Sequence, residues 1–155
     1  MEPKPQDASA CDMTEYVLPQ HANALGNVFG GQIMAWVDLC AAITAQRHSG
    51  RIAVTAFVDD LKFEQPVKVG EVVRLRAHVS ATFRTSMEIA VTVEGEDSRT
   101  GRRWPCVTAA LTFVAIDENA KPTPVPPLAM TSDEVRASQA EGERRRALRL
   151  KRPVT

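Results

Sequence analysis

The period of the apolar positions changes along the chain. Residues 32 to about 47 contain no Gly or Pro, and Ile33, Met34, Ala35, Trp36, Val37, Leu39, Cys40, Ala41, Ala42 and Ile43 ring the segment. Apolar residues on nearly every side predict a helix buried on most of its surface. After His48-Ser49-Gly50 the period falls to two. Val73, Leu75, Ala77 and Val79 alternate with Arg74, Arg76 and His78, and Ile89, Val91 and Val93 keep the same step. Residues 52–63 are rich in Val, Thr and Phe, and residues 102–116 read as a last long strand, with Pro105 predicting an edge or bulge near its start. Residues 12–18 supply a short first strand. Turn residues at 65–70 and 97–101 keep the links short, so the strands are expected to pair antiparallel. The expectation is an α+β domain: one long helix wrapped by a sheet of about five strands. One face of so small a sheet stays partly open, so dimerisation is expected.

The flanks differ from this core. Residues 1–10 are polar, hold two prolines and read as a flexible leader rather than a signal peptide. The domain is expected to fill 11–118. Residues 119–130 are Pro-rich and predict an extended connector. Residues 131–155 predict a basic C-terminal helix and tail, with Ser132 as N-cap, Asp133 and Glu134 in the first turn and arginines toward the end.

Composition narrows the function classes. The 155 residues carry 19 basic and 19 acidic side chains, so there is no general electrostatic case for nucleic acid. The balance is uneven, because six basic residues and no acidic ones fall within 144–155. That arginine run reads as a solvated helix face, or as a contact for ligand phosphates or a neighbouring subunit. No apolar run reaches the roughly 20 residues that span a bilayer, so no membrane association is expected. Cys11, Cys40 and Cys106 are odd in number and have no metal-site spacing. They predict a reducing, cytoplasmic setting without disulfides or bound metal.

Asp38 is the most informative side chain. A carboxylate inside an apolar helix is costly unless it is paired, protonated or at a wet site. It either bonds neighbouring backbone or does chemistry. Gly30-Gly31 at the helix start leaves backbone N–H groups free to meet an oxyanion, or simply makes a tight turn. Asn23, in the preceding loop, can orient a water or a carbonyl, or shape the turn. His21 is either a general base or an exposed loop residue. His48 and His78 have no acidic or Cys neighbour at useful spacing and are expected at the surface. There is no G-x-S-x-G elbow and no phosphate-binding glycine fingerprint.

Taken together, Pro19-Gln-His-Ala-Asn23-Ala-Leu-Gly26-Asn-Val-Phe29-Gly30-Gly31 and the helix carrying Asp38 resemble the acyl-CoA thioesterases of the hot-dog fold. The chain is similar to the single-domain bacterial acyl-CoA hydrolases and to each half of the tandem cytosolic enzymes. Phe63-Glu-Gln-Pro66-Val-Lys-Val-Gly70 and the strand from Cys106 to Asp117 extend the resemblance to about residues 16–117. Two positions depart from it. Ala109 stands where many members carry Asp or Asn, and Phe29 where some carry His.

The resemblance implies hydrolysis of a fatty acyl-CoA to free acid and CoA, with no cofactor beyond the CoA of the substrate. Asp38 would act as general base, or as nucleophile through an anhydride. Asn23 would orient water or carbonyl, and the N–H groups of Gly30 and Gly31 would hold the oxyanion. Arg84, Thr85 and Ser86 would meet the CoA phosphates. The resemblance also implies a homo-oligomer, a dimer as active unit and a trimer of dimers, in which Asn23 and Asp38 of one chain serve different sites. Two rival readings are an acyl-CoA-binding module without hydrolysis and a hydroxyacyl-thioester dehydratase. The second wants a catalytic His that His21 does not supply at matching spacing.

Overall fold

The computed structural model describes residues 1–153. Five strands, β1 (Cys11–Tyr16), β2 (Ile52–Phe63), β3 (Val72–Thr82), β4 (Ser86–Asp97) and β5 (Arg102–Ile116), form one curved antiparallel sheet in the order β1-β3-β4-β5-β2. Helix α1 (Gly30–Ser49) lies on its inner face and α2 (Asp133–Leu150) crosses the outer one. The last two residues of the expected basic tail lie outside the described residues.

Period-two patterning sets which residues meet α1. Val73, Leu75, Ala77 and Val79 of β3 and Ile89, Val91 and Val93 of β4 are buried against Ile33, Trp36, Val37, Cys40 and Ala41 of α1. Fully burying a Leu, Ile or Phe side chain contributes about 1.5–3 kcal/mol each, so this seam decides the fold. Opposite it, Arg76 pairs with Asp12 of β1 at 3.1 Å and Arg74 with Glu96 at 3.6 Å. α1 starts at Gly30, two residues earlier than its apolar run. It stops where Gly50 takes φ 68° and donates its N–H to Gln46 O. β5 does bulge near Pro105, because the pairing skips Cys106 between Val107 and Pro105. No described helix is long and apolar enough to cross a membrane.

Four expectations need correction. Residues 1–10 are not a loose leader: Lys4 bonds Pro127 O and Ala129 N, Gln6 Nε2 donates to Val79 O, and Ser9 is buried. The helix α1 is not buried on most sides within one chain. Leu39 and Ile43 are exposed, and beside them the free edge strand β2 exposes Val54, Phe57, Val58, Leu61 and Phe63. His48 is not at the surface. It is fully buried, with Nε2 2.8 Å from Pro126 O, and His78 is half-buried on β3.

The arginine run is the fourth. Among its residues, Arg145 and Arg149 do not form a solvated face. The Nε and Nη2 of Arg145 grip both carboxylate oxygens of buried Glu88, each at 2.8 Å, and Arg149 donates to Asp59 at 2.6 Å while lying 4.7 Å over Phe57. Gly142 lets α2 approach this closely, since a Cβ there would collide with that of Ala81 on β3.

Candidate active site

The loop before α1 is built around Asn23. Its Oδ1 accepts from the backbone N–H groups of Leu25 (3.0 Å) and Asn27 (3.2 Å), and its own N–H donates to Asn27 O at 2.8 Å. Two backbone donors demand the oxygen on that side, so the amide orientation is fixed and its NH2 points away as a donor. Among the described residues that NH2 has no partner. Asn23 lines a pocket of about 250 Å³ whose wall also includes Gly30, Ile33, Phe63, Glu64 and Cys106.

Helix α1 opens onto the same pocket. Phe29 is its N-cap and offers no side-chain bond. The first helical donors to find partners are Gln32 and Ile33, both bonding Phe29 O. The N–H groups of Gly30 and Gly31 therefore stay free among the described residues. They lie at the positive end of the helix dipole, where negative charge is favoured. The Phe63 ring flanks this helix start, 3.6 Å from where a Cβ on Gly30 would sit, an ordinary van der Waals contact. Cys106 is no nucleophile here, because burial pushes its thiol up to about 11.

Asp38 lies elsewhere. Seven residues past Gly31, it shares that residue's helix face but stands roughly 10 Å further along the axis. It is half-buried rather than buried, and its Oδ1 accepts from Thr55 Oγ1 of β2 at 2.6 Å. It does not line the pocket of Asn23. Leu39, next to it on α1, and Val54, next to Thr55 on β2, are exposed and apolar. Within one chain the structure thus brings Asn23 and Gly30 to one pocket, with Gly31 next in the helix, and leaves Asp38 at an uncovered edge.

The remaining candidates fall outside both places. His21 is structural: its Nδ1 accepts from Leu18 N at 3.1 Å and its ring packs edge-on to Trp36 with centroids 5.0 Å apart. Arg84, Thr85 and Ser86 form the β3–β4 turn, at the end of the sheet opposite the pocket. Thr55 carried no sequence signal, since Thr is an ordinary strand residue. Among the described residues no group of three or more His, Cys, Asp or Glu side chains is arranged to hold a metal ion.

The chain and its helix-wrapping sheet have counterparts among known proteins. The thioesterase superfamily profile matches residues 25–102. The chain belongs to the thioesterase superfamily. Its fold is that superfamily's hot-dog fold. An uncharacterized acyl-CoA thioester hydrolase of Bacillus subtilis is 39% identical over 78% of the chain and 70% of its own length. A hexameric acyl-CoA thioesterase superposes with a TM-score of 0.92 at 36% identity, covering 97% of each chain. The acyl-CoA hydrolase of Staphylococcus aureus, solved with butyryl-CoA and CoA, gives 0.86 at 34% identity over 96% of this chain and 93% of that one. That hydrolase has also been solved as three alanine variants, at an Asp, a Thr and an Asn. The match to mouse acyl-coenzyme A thioesterase 11 is 37% identical over 86% of the chain, which spans only 23% of that protein.

Proposed function

We propose that this superfamily member hydrolyses acyl-CoA thioesters, with Asp38 as general base and Asn23, Gly30 and Gly31 as oxyanion donors. One observation carries the reading. In the Staphylococcus aureus hydrolase the replaced Asp follows the replaced Asn by 15 positions, and the replaced Thr follows that Asp by 17. Asn23, Asp38 and Thr55 have the same residue types at the same separations. The Thr55–Asp38 bond gives that triplet a physical sense, since the hydroxyl fixes one carboxylate oxygen and leaves the other for water.

The chemistry follows from the donors and acceptors. Asp38 takes a proton from a water as its oxygen attacks the thioester carbonyl. Negative charge moves to the carbonyl oxygen, which the Asn23 NH2 and the helix-start N–H groups meet. The intermediate collapses, the C–S bond breaks, and the departing sulfur takes the proton back from Asp38. Because the Asn23 oxygen is occupied by its own loop, the side chain acts as a donor to the carbonyl rather than as an acceptor from water. Arg84, Thr85 and Ser86 receive the CoA phosphates.

The site is composite. A homo-oligomer supplies what one chain lacks: a partner packed on β2 and the exposed face of α1 brings its own Asn23 loop against Asp38. A dimer is the active unit, and a trimer of dimers, as the hexameric relative suggests, is the assembly. The setting is cytoplasmic, where Cys11, Cys40 and Cys106 stay reduced.

Thiol release across short, medium and long acyl-CoAs tests the reaction. Wild type should release thiol, and Asp38→Asn should lower kcat by about 10² or more, the scale of general-base catalysis. An Asp38→Asn protein as active as wild type would overturn the assignment.

A further inference from the structure

Trp104, at the start of β5, touches none of the proposed chemistry, yet its indole is held on three sides. It fills the space above Gly95 on β4, where a Cβ would collide with Nε1 and Cε2. The Arg102 guanidinium lies 4.3 Å from the ring centroid. The ring's one polar atom, Nε1–H, donates to Pro66 O at 3.0 Å. Such a ring has little freedom, and a single directional bond leaves it.

That bond ends in the wall of the pocket. Glu64, Gln65, Pro66 and Val67 all line it, in the link between β2 and β3. The β5 bulge aims two more carbonyls at the same link: Cys106 O accepts from Glu64 N at 2.8 Å and Pro105 O from Gln65 N at 3.3 Å. The link then carries the Asn23 loop. Val28 N donates to Val67 O at 2.8 Å, Val69 N donates to Gly26 O at 3.1 Å, and Asn27 bridges to Lys68. Asn27 in turn holds Asn23 through both backbone and side chain. The connection from the indole to the Asn23 amide is therefore continuous.

We propose that Trp104 is a positioning residue: clamped by Gly95 and Arg102, its indole N–H sets the 64–67 link and thereby the placement of the Asn23 amide. The inference rests on the acyl-CoA hydrolysis reading. A donor that must meet a developing oxyanion gains its effect from being in place beforehand, and small displacements cost rate rather than substrate affinity.

Two variants separate positioning from packing, each made in the full chain and assayed as assembled. Trp104→Phe keeps an aromatic ring and removes the N–H. Gly95→Ala keeps the N–H and drives the ring aside. Trp104→Phe should lower kcat about 10-fold with little change in KM, the signature of an interaction made in the transition state. Amide exchange should quicken at Asn27, Val28 and Val69 while Leu75 and Ile89 keep wild-type protection. Gly95→Ala should reproduce both effects alone and add little in the Trp104→Phe background.

A packing role alone would instead quicken exchange throughout the sheet, and that result overturns the proposal. So does faster local exchange with unchanged kcat, or wild-type behaviour in both readouts. If the wild-type protein releases no thiol from any acyl-CoA, the hydrolysis reading fails. The exchange measurement then decides by itself whether Trp104 sets the loop.

Discussion

Replacing Arg145 with methionine tests how the C-terminal helix is held to the sheet. Glu88 is 2% exposed, and among the described residues Ser80 Oγ is the one other group bonded to its carboxylate besides Arg145, at 2.7 Å. Methionine keeps most of the stem and removes the cation, so a carboxylate is left in the seam with one hydroxyl donor. Breaking one side of a buried pair costs about 3–5 kcal/mol. The Arg145 side chain is 21% exposed, so water reaches part of the gap and a loss near the lower end, about 3 kcal/mol, is expected.

The loss should depend on pH with a definite sign. In the native protein burial works to raise the Glu88 carboxyl. The bonds from Arg145 and Ser80 and the charges of Arg145 and Arg149 together outweigh it and hold the group below its ordinary 4.5. Its contribution is present above pH 4.5 and fades as pH falls through the lower folded value. Without the guanidinium burial wins, the carboxyl rises above 4.5, and the variant gains stability as Glu88 takes up a proton. The deficit is therefore largest at pH 7 and shrinks toward pH 4.5. Urea unfolding at pH 7 and pH 5, at fixed protomer concentration, measures it. Adding Glu88→Gln should recover most of the loss. A deficit under about 1 kcal/mol at pH 7, or one that does not change with pH, would refute the reasoning.

Two other expectations follow from packing and burial. Gly142→Ala should lower the melting temperature by a loss of about 1–3 kcal/mol, although alanine favours an isolated helix by about 1 kcal/mol; a stabilised variant would mean α2 does not lie this close to Ala81. Burial lowers the pKa of His48 below its ordinary 6.5 despite the Pro126 carbonyl bond, so the unfolded chain binds its proton first and stability falls as pH drops below about 6.5. His48→Gln, which keeps a donor for Pro126 O, should flatten that slope in pH-dependent melts, and an unchanged slope would assign it to other groups.

Legibility followed the range of the interactions. The strand and helix pattern was readable because periodicity is local, and Asp38 stood out because a carboxylate interrupts an apolar helix. The destination of the arginines was not readable, since Glu88 lies 57 positions from Arg145 and Asp59 lies 90 from Arg149. His48 seemed a surface residue for want of a sequence neighbour, while its partner Pro126 is 78 positions away. The Asn23–Asp38 stretch is continuous in sequence but not in space, because two turns of α1 carry Asp38 out of the Asn23 pocket. The resemblance implies that the two serve different sites, while the geometry gives their separation within one chain, and nothing in the sequence pointed to Thr55 as the hydroxyl holding Asp38.

Mixing two inactive proteins tests the central claim most directly. Asn23→Ala and Asp38→Asn chains, each assayed alone, should release little thiol from acyl-CoA. Unfolded and refolded together at equal amounts, half of the dimers are hybrids, and a composite site gives each hybrid one intact centre. Activity should then return to about a quarter of wild type. A mixture no more active than its components, with hybrid assemblies verified by mass spectrometry, would contradict a site shared between protomers.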